Sequence, residues 1–401
     1  MNTSVEIPYG AYWASPFARW QGSLAHLNAV DLAAHVAREA LQRRGIDPAQ
    51  FNFGLLGITV PQKHSFYGFP WLATQIGATN ATGPSISQAC ATSVRVLLNG
   101  GGEIAAGQAK SALLVTCDRT SNGPHIYYPA PSAPGGTGQH EDWVMDNFNC
   151  DPNGRHAMIQ TAENVATKHE ITTQEQHDVV LRRGEQYRQA LADDRAFQKR
   201  YMAPAMEVPS ADFRKVQSVL EGDEGVVLST EAGLAKLRPV LPGGSVTFGG
   251  QTHPADGNAG MILTTPDKAR EISTDLAIRV RLRGFGSART ERAFMPEAIL
   301  PAAQMALDQA GLTIGEIDAV NSHNPFAVND ILFSRETGFP LEKMNNFGCS
   351  LIWGHPQGPT GMRAIIELIE ELAMRGGGTG LFQGCAAGDS AMACVVEVSD
   401  R

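Results

Sequence analysis

Cys90 stands at a junction between a strand-like and a helix-like segment, in the stretch SISQACATSVRVLLNG of residues 85–100. A helix N-terminus stabilises a thiolate and lowers the pKa of a cysteine, which would make Cys90 a nucleophile. A free cysteine also packs well as a small apolar residue, so a purely structural position in the core is the other interpretation. The stretch alone leaves both interpretations open.

A second junction near the C-terminus repeats the arrangement around Cys90. The Cys90 segment continues through glycine-rich residues to a strand that ends at Cys117. His355 likewise precedes a helix, three glycines and a strand that ends at Cys385. This repetition indicates a diverged internal duplication with one β–α–β unit in each half. Because the halves of such a duplication pack face to face, we expect Cys90 and His355 to meet.

Length and composition describe a globular protein with a large core. The chain has 401 residues, of which 43% are hydrophobic and 18% are charged, as in ordinary globular proteins. Its net charge of −9 argues against a general nucleic-acid-binding protein. The six cysteines show no zinc-site spacing, and the sequence shows no signal-peptide pattern or membrane-spanning apolar run. We therefore expect a cytoplasmic protein with reduced cysteines and no metal site.

Strand-like and helix-like segments alternate along most of the chain, which predicts an α/β protein with largely parallel central sheets. Residues 90–107 read as a helix that is interrupted by glycines. In the last helix an apolar stripe lies opposite Glu367, Glu370 and Glu371, which is typical of an amphipathic helix. Residues 119–240 are richer in proline, glycine and charge, and a long insertion of this kind is usually functional.

Several motifs resemble the thiolase family, the enzymes that make or cleave 3-oxoacyl-CoA thioesters. In chain order they are GSLAHLNAVDLAAHVAREAL (22–41), TAENVA (161–166), LAKLRPVLPGGSVTFGG (234–250), ADGNAG (255–260) and GHPQGPTGMRAIIELIEEL with GC (354–385). The resemblance implies the thiolase fold, in which two duplicated βαβαβαββ-type halves form a layered α-β-α-β-α core. It also implies a division into an N-terminal half (1–118), an inserted loop domain (119–248), the end of the N-terminal half (249–270) and a C-terminal half (271–401).

The resemblance assigns chemical roles to four side chains. Cys90 matches the nucleophile that takes the acyl group, and His355 matches the base that accepts its proton. Cys385 matches the acid and base at the α-carbon of the substrate. His323, in SHNPFA, falls where the family holds the enolate oxygen. We also expect Cys90 to have a depressed pKa and to be alkylated before the other five cysteines.

The chain departs from the family pattern around the expected acyl pocket. CATS replaces Cys-Gly-Ser-Gly, and CAAGD replaces Cys-x-Gly-Gly-Gly. The second change puts Ala387 where a backbone N–H lines an oxyanion hole, which requires a φ that is not strongly positive. Pro325 replaces an alanine after His323, and Thr252 and His253 replace Ser-Gly. These changes favour a bulky or polar acyl group over acetoacetyl-CoA.

The resemblance implies CoA as a cosubstrate and no tightly bound cofactor. The residues that match CoA-contacting positions are Met158, Thr252, Met295 and Phe326. For the two methionines, ordinary core packing is an equally good interpretation. Arg119 and His253 are candidates to bind a second carboxylate on the acyl chain, whereas we interpret Cys117 and His156 as structural.

A narrower resemblance, carried by IPYGAYWASPFARWQGS and SHNPF, is to the benzoylsuccinyl-CoA thiolase subunits of anaerobic toluene degradation. It implies release of benzoyl-CoA and succinyl-CoA, and a small companion subunit with a zinc-binding OB-fold. We expect a homodimer or a dimer of dimers, with no nucleic-acid or membrane partner.

Two other functions stay open at this stage. A ketoacyl-synthase-like condensing enzyme would share the fold, although such enzymes have a second histidine at the position of Cys385. A catalytically weak, lipid-binding homologue is the other alternative, and the presence of Cys90, His355 and Cys385 together argues against it. The leading hypothesis is a thiolase that cleaves a bulky or polar 3-oxoacyl-CoA through an acyl-cysteine intermediate.

Overall fold

Helices and strands alternate through residues 5–121, 123–203 and 205–401, which are the residues that this computed structural model describes. The strands are β1 (Glu6–Ile7), β2 (Tyr12–Ala14), β3 (Ala18–Arg19), β4 (Gly54–Gly57), β5 (Ser85–Ile86), β6 (Ser111–Arg119), β7 (His125–Tyr128), β8 (Gln139–Asp142), β9 (Met206–Pro209), β10 (Val216–Leu220), β11 (Ala255–Thr264), β12 (Ile278–Arg289), β13 (Ala319–His323), β14 (Gly378–Ala386) and β15 (Ser390–Asp400). The helices are α1 (Ala29–Arg43), α2 (Gly68–Ile76), α3 (Thr92–Ala105), α4 (Met145–Asn149), α5 (Met158–Lys168), α6 (Thr173–Ala190), α7 (Ala192–Arg195), α8 (Glu231–Leu234), α9 (Pro266–Ile272), α10 (Ile299–Ala310), α11 (Ala327–Thr337), α12 (Ser350–Trp353) and α13 (Gly358–Met374).

The strand order of the main sheet shows the internal duplication. The N-terminal half has the order β4-β6-β11-β1, and the C-terminal half has the order β13-β14-β15-β12. In each set the first two strands are parallel and the later neighbours are antiparallel. The two sets join where β1 pairs with β12. The duplicated halves are therefore confirmed.

The strand directions differ from the largely parallel sheets that the sequence predicts. The clearest case is the pair β14 and β15, which are joined by only three residues, 387–389. A connection this short can join only antiparallel strands, because a parallel pair needs a crossover of a dozen residues or more. The prediction was wrong because residue patterning shows that a strand exists but does not show its direction.

Helices α3 and α13 lie between the two halves of the sheet. Helix α3 contacts β4, β6 and β11 of its own half and β15 of the other, and α13 contacts β13 and β14 together with β6 and β11. On the outer faces, α1 and α2 pack on the N-terminal half and α10 packs on the C-terminal half. The layered α-β-α-β-α core of the thiolase fold is thus present.

The central position of α3 and α13 corrects two further expectations. Helix α3 runs through its glycines without interruption. A Cβ at Gly100 would lie 2.9 Å from the Leu114 side chain, so this glycine lets α3 approach β6 closely. Glu367, Glu370 and Glu371 of α13 are at most 2% exposed and do not form a polar outer face. Each carboxylate is hydrogen-bonded to a tyrosine or asparagine side chain, which offsets the cost of its burial.

The segment inserted between β6 and β11 is anchored to the core by helix packing and by a buried ion pair. Helix α6 contacts α11 and α12. Asp223 accepts two hydrogen bonds from the guanidinium of Arg363, at 2.6 and 2.7 Å, and both side chains are fully buried. The division of the chain at residues 118, 248 and 270 remains a proposal. Across the described residues, no helix combines the length and the apolar character needed to cross a membrane.

Candidate active site

Cys90 lies in a tight turn two residues before helix α3. Ala89 adopts a left-handed φ of 44°, a strained conformation for a residue with a side chain. The Thr92 hydroxyl stabilises this turn, because it donates to the carbonyl of Ala89 at 2.7 Å and accepts from the N–H of Gln88 at 2.8 Å. The turn leaves Cys90 half-buried at the wall of a large cavity.

His355 lies in the equivalent turn before helix α13. Its Nε2 is 3.1 Å from the Sγ of Cys90, and its Nδ1 is 2.6 Å from the Oγ1 of Thr360. The contact with Thr360 fixes the ring so that Nε2 faces the cysteine. The structure therefore brings together the two residues that the duplication places at equivalent junctions.

Further hydrogen bonds join the two junctions directly. The hydroxyl of Ser93 in α3 donates to the carbonyl of Gly358 at the start of α13. The carboxylate of Asp118 accepts from the N–H of Gly358 at 2.8 Å and from the N–H of Thr59 at 2.8 Å. The relative position of Cys90 and His355 thus depends on both halves of the protein.

Cys385 and His323 stand at the ends of β14 and β13. Cys385 lines the same cavity as Cys90, and the side-chain amide of Asn329 donates to its Sγ at 3.2 Å. His323 is fully buried behind His355, with the ring centroids 4.0 Å apart and the planes at 26°. Its Nδ1 is 3.0 Å from the Oγ of Ser350, whereas its Nε2 has no hydrogen-bond partner among the described residues.

Burial favours the neutral forms of both Cys90 and His355. Burial raises the pKa of Cys90 to about 12, against the lowering effect of backbone hydrogen bonds at Ala387 and at Cys90 itself. Burial also lowers the pKa of His355 well below its usual range, and His323 and His253 lower it further. The expected depression of the Cys90 pKa was wrong, because the loss of hydration at this site outweighs the helix N-terminus.

Burial favours the neutral form of His323 as well, since it lowers the pKa of this side chain to about 3.

Ala387 adopts a negative φ, and its backbone hydrogen-bonds to Cys90. The alanine that replaces the family's glycine therefore still presents its backbone group to the nucleophile.

The cavity has a volume of about 650 Å³ and contains Cys90, His355 and Cys385 in its wall. The four residues predicted to contact CoA all line it: Met158, Thr252, Met295 and Phe326. Much of the remaining wall is apolar and comes from the inserted segment, including Trp143, Val144, Phe148 and Phe248. No lysine or arginine is among the described residues that line this cavity.

The two residues predicted to bind a second carboxylate lie outside the cavity lining. Arg119 directs its guanidinium to the carbonyls of Ala25 and Leu27, at 3.3 and 2.8 Å. Burial lowers the pKa of His253, which favours a neutral ring. Neither residue is placed to meet an anionic acyl chain. Cys117 is fully buried within β6, in keeping with a structural role.

Two thiolase domain families match this chain. The family described as "Thiolase, N-terminal domain" matches residues 12–267, and "Thiolase, C-terminal domain" matches residues 276–398. The chain belongs to the thiolase family. The enzyme class predicted from the sequence, a thiolase-type acyltransferase, is confirmed.

Individual relatives have low sequence identity to this thiolase, but the matches cover almost the whole of both chains. It is 28% identical to the acetyl-CoA acetyltransferase of Escherichia coli over 391 residues, which is 94% of this chain and 95% of the relative. It is 27% identical to the human mitochondrial 3-ketoacyl-CoA thiolase over 392 residues, 96% of each chain. A crystal structure of that human thiolase superposes with a TM-score of 0.89 at 25% identity and covers 98% of both chains.

The sequence analysis missed three side chains that position this site. Thr360 could have been found, because it lies within the GHPQGPTG motif and five residues after His355. Ser350 and Asn329 stand in no quoted motif. Their importance appears only when the fold brings α12 against His323 and α11 against Cys385.

Proposed function

We propose that this thiolase cleaves a bulky 3-oxoacyl-CoA with CoA, through an acyl group bound to Cys90. The observation that carries the proposal is the 3.1 Å contact between Cys90 Sγ and His355 Nε2, beside a cavity that also contains Cys385. A nucleophile within hydrogen-bond reach of an oriented base is the arrangement that acyl transfer requires. The E. coli relative, an acetyl-CoA acetyltransferase, is named for a CoA thioester.

In the first half-reaction, His355 accepts the thiol proton of Cys90 as Sγ attacks the 3-oxo carbon. The backbone group of Ala387 lies next to Sγ and supports the negative oxygen that develops there. When the bond between C2 and C3 breaks, its electron pair forms the enolate of the released thioester. Cys385 then protonates C2, which leaves a Cys385 thiolate, a His355 imidazolium and acyl-Cys90.

In the second half-reaction, CoA removes the acyl group from Cys90. The thiol of CoA gives its proton to the Cys385 thiolate and attacks the acyl-cysteine. The departing Cys90 thiolate takes its proton from the His355 imidazolium, which restores the starting state. Because Cys90 begins as a thiol, each half-reaction depends on His355 to move a proton.

His323 is proposed to stabilise the oxygen of the enolate. Its buried Nε2 has no partner among the described residues, and a neutral imidazole with its proton on Nε2 is a hydrogen-bond donor. The Ser350 hydroxyl donates to the Asn324 side-chain oxygen at 3.0 Å, and it selects this tautomer when it turns to donate to Nδ1 instead. When the hydroxyl turns, the Asn324 side-chain oxygen still accepts from the N–H of Leu351 at 3.2 Å.

The cavity supports a large, mainly apolar acyl group. The volume of about 650 Å³ must hold part of CoA as well as the acyl group, because the four predicted CoA contacts line the same cavity. The aromatic residues from the inserted segment add apolar surface that suits an acyl group larger than acetoacetyl. Benzoylsuccinyl-CoA stays a candidate on the sequence resemblance, and its phenyl ring suits Trp143 and Phe148. Its carboxylate would have to be bound by an uncharged group such as Gln251, since the described lining has no lysine or arginine, and it would have to avoid Glu141 in the same wall.

The assembly is also a proposal. Phe66 is 96% exposed and Tyr67 is 67% exposed, and their rings contact each other edge to face. An exposed aromatic pair supports association through this surface, as in the homodimer or dimer of dimers that the family resemblance implies. A zinc-binding OB-fold companion subunit and a cytoplasmic location rest on the sequence arguments alone.

A panel of linear, branched and aromatic 3-oxoacyl-CoA substrates tests this function. Loss of the thioester enolate absorbance reports CoA-dependent cleavage. We expect kcat/KM for an aromatic or branched substrate to exceed that for acetoacetyl-CoA by at least about tenfold, which corresponds to roughly 1.4 kcal/mol of differential transition-state binding. Equal efficiency on acetoacetyl-CoA would contradict the size argument. Absence of any cleavage, with acyl-CoA still bound, would favour the lipid-binding alternative.

A further inference from the structure

Three potential metal ligands converge at the bottom of the active site. One ligand atom each from Cys90, His323 and His355 lies within 4.8 Å of the other two. The set of one thiolate and two imidazoles is typical of sites that bind Zn²⁺ and related soft cations. The proposed reaction gives each of these side chains a role, and the same three groups also form a ligand set when no substrate is bound.

Each imidazole ring has its second nitrogen held by a hydroxyl group. The Nδ1 of His355 contacts the Thr360 hydroxyl and the Nδ1 of His323 contacts the Ser350 hydroxyl. Such contacts to the second nitrogen hold a ring with Nε2 directed at the metal. The Nε2 of His323 is buried and has no hydrogen-bond partner among the described residues. Its electron pair is available when the Ser350 hydroxyl donates to Asn324 and Nδ1 donates to Ser350, which is the opposite tautomer to the one that would stabilise the enolate.

We propose that Cys90, His323 and His355 bind a soft divalent cation, Zn²⁺ above all, and that the bound cation switches the nucleophile off. The cavity supplies water as the fourth ligand, which gives the open tetrahedral geometry of a three-ligand site. Binding releases the thiol proton of Cys90 to solvent, so the complex contains one thiolate, two neutral imidazoles and the cation. The metal then occupies the electron pairs that Sγ and His355 use in acyl transfer.

The spacing of the ligands predicts an affinity for Zn²⁺ that is weaker than that of a structural zinc site. Metal bonds of about 2.0 to 2.3 Å require ligand atoms roughly 3.5 Å apart. The Sγ–Nε2 contact of 3.1 Å is close to that value, whereas the stacked rings of His323 and His355 must tilt toward each other. Since His323 is surrounded by core residues, this adjustment costs binding energy. We expect reversible inhibition rather than a permanently occupied site.

Cobalt binding tests the proposal without relying on enzyme activity. Titration of metal-free protein with Co²⁺ should produce a thiolate-to-cobalt charge-transfer band with a stoichiometry of one, and Zn²⁺ should displace the cobalt. The same Zn²⁺ should protect Cys90 from alkylation, as measured by peptide mapping. Because acyl exchange is assayed separately on metal-free protein, failure of cobalt binding and failure of the thiolase function remain distinguishable.

His323→Asn is the decisive variant. It keeps a polar side chain of similar reach but removes an imidazole ligand, so the dissociation constant for Co²⁺ should rise at least about tenfold. Ser350→Ala should raise it by about tenfold to a hundredfold through loss of ring orientation. The matched control is Cys150→Ser, which removes an exposed cysteine outside the cluster and should leave the band unchanged.

Two results would overturn the proposal. One is the absence of the charge-transfer band and of Zn²⁺ protection in the unsubstituted protein, a measurement that does not depend on the folding of any variant. The other is a band that persists in folded His323→Asn but disappears in Cys150→Ser, which would place the cation at the protein surface.

Discussion

The turn before α3 and the turn before α13 occupy equivalent places in the two halves, but they hold their reactive groups differently. Cys90 is half-buried, and among the described residues its Sγ has one side-chain hydrogen-bond partner, His355. His355 is held by Thr360 and stacked on His323, which in turn contacts Ser350.

The support behind the C-terminal junction continues into the core. Asn324 contacts Ser350 and donates to Asp330, and Asp330 pairs with Arg183 at 2.9 Å, with both charged side chains fully buried. The C-terminal half thus contributes the preorganised proton-transfer and hydrogen-bonding groups. The N-terminal half contributes a nucleophile that substrate can reach. The two halves thus keep the same order of strands and helices, but they differ in how many side chains hold the reactive group in place.

Removal of the base, His355, should have the largest effect on activity. His355→Ala should lower both acyl exchange and carbon–carbon cleavage by roughly four orders of magnitude or more, since nucleophile and base act as a unit. The measurement is isotope exchange between acyl-CoA and labelled CoA, run beside the cleavage assay. Exchange that survives in the variant would show that Cys90 is activated by another group.

Cys385→Ala should separate the two activities. In acyl exchange no enolate is protonated, so Cys385 stays a thiol and His355 carries the proton between Cys90 and CoA. Cleavage also needs a proton from Cys385 at the α-carbon. Cleavage should therefore fall by roughly two to four orders of magnitude while exchange is retained. Full cleavage would refute the thiolase mechanism for this chain. Equal loss of both activities in a folded variant would make Cys385 a structural support.

Ser350→Ala tests the support behind His323. Loss of the hydroxyl leaves Nδ1 without its partner, so cleavage kcat should fall by roughly ten- to a hundredfold with little change in KM. Nitrogen NMR of the His323 ring should show a mixture of tautomers. Ser334→Ala is the matched control, because the Ser334 hydroxyl in α11 donates to the backbone carbonyl of Phe339 and does not line the cavity. A normal kcat in Ser350→Ala would show that Ser350 does not support His323 in the reaction.

The smallest expected effect needs no substitution. It is the change with pH in the rate at which iodoacetamide alkylates Cys90. A pKa raised to about 12 means that the thiolate fraction grows about tenfold per pH unit between pH 7 and 10. Peptide mapping follows the rate, with exposed Cys150 as the internal reference. A plateau below pH 8 would mean that Cys90 is a preformed thiolate.

Local sequence patterns predicted helices and strands but not which of their side chains are buried. Residues 90–107 were predicted as a helix, and apart from the predicted interruption they correspond to α3. Periodicity and capping act within a few residues, so they are legible in one sequence. The motifs also contain Cys90, His323 and His355, whose ligand atoms lie within 4.8 Å of one another, and Cys385, which lines the same cavity as Cys90.

The parts that were mispredicted depend on contacts between distant segments. Glu367 is buried because Tyr201 and Arg363 meet it, and Tyr201 comes from the inserted segment. The raised pKa of Cys90 follows from burial at the meeting of both halves, whereas the sequence shows only the nearby helix N-terminus. Such desolvation depends on the packed structure, and the stretch 85–100 contains no sign of it.

The position of the covalent acyl group tests the central claim most directly. The protein is incubated with a labelled acyl-CoA, quenched in acid and digested, and the modified peptide is identified by mass spectrometry. The account predicts a thioester on Cys90, present also in Cys385→Ala and absent in Cys90→Ser. An acyl group on Cys385 or Cys349, or turnover without any acylated cysteine, would contradict it.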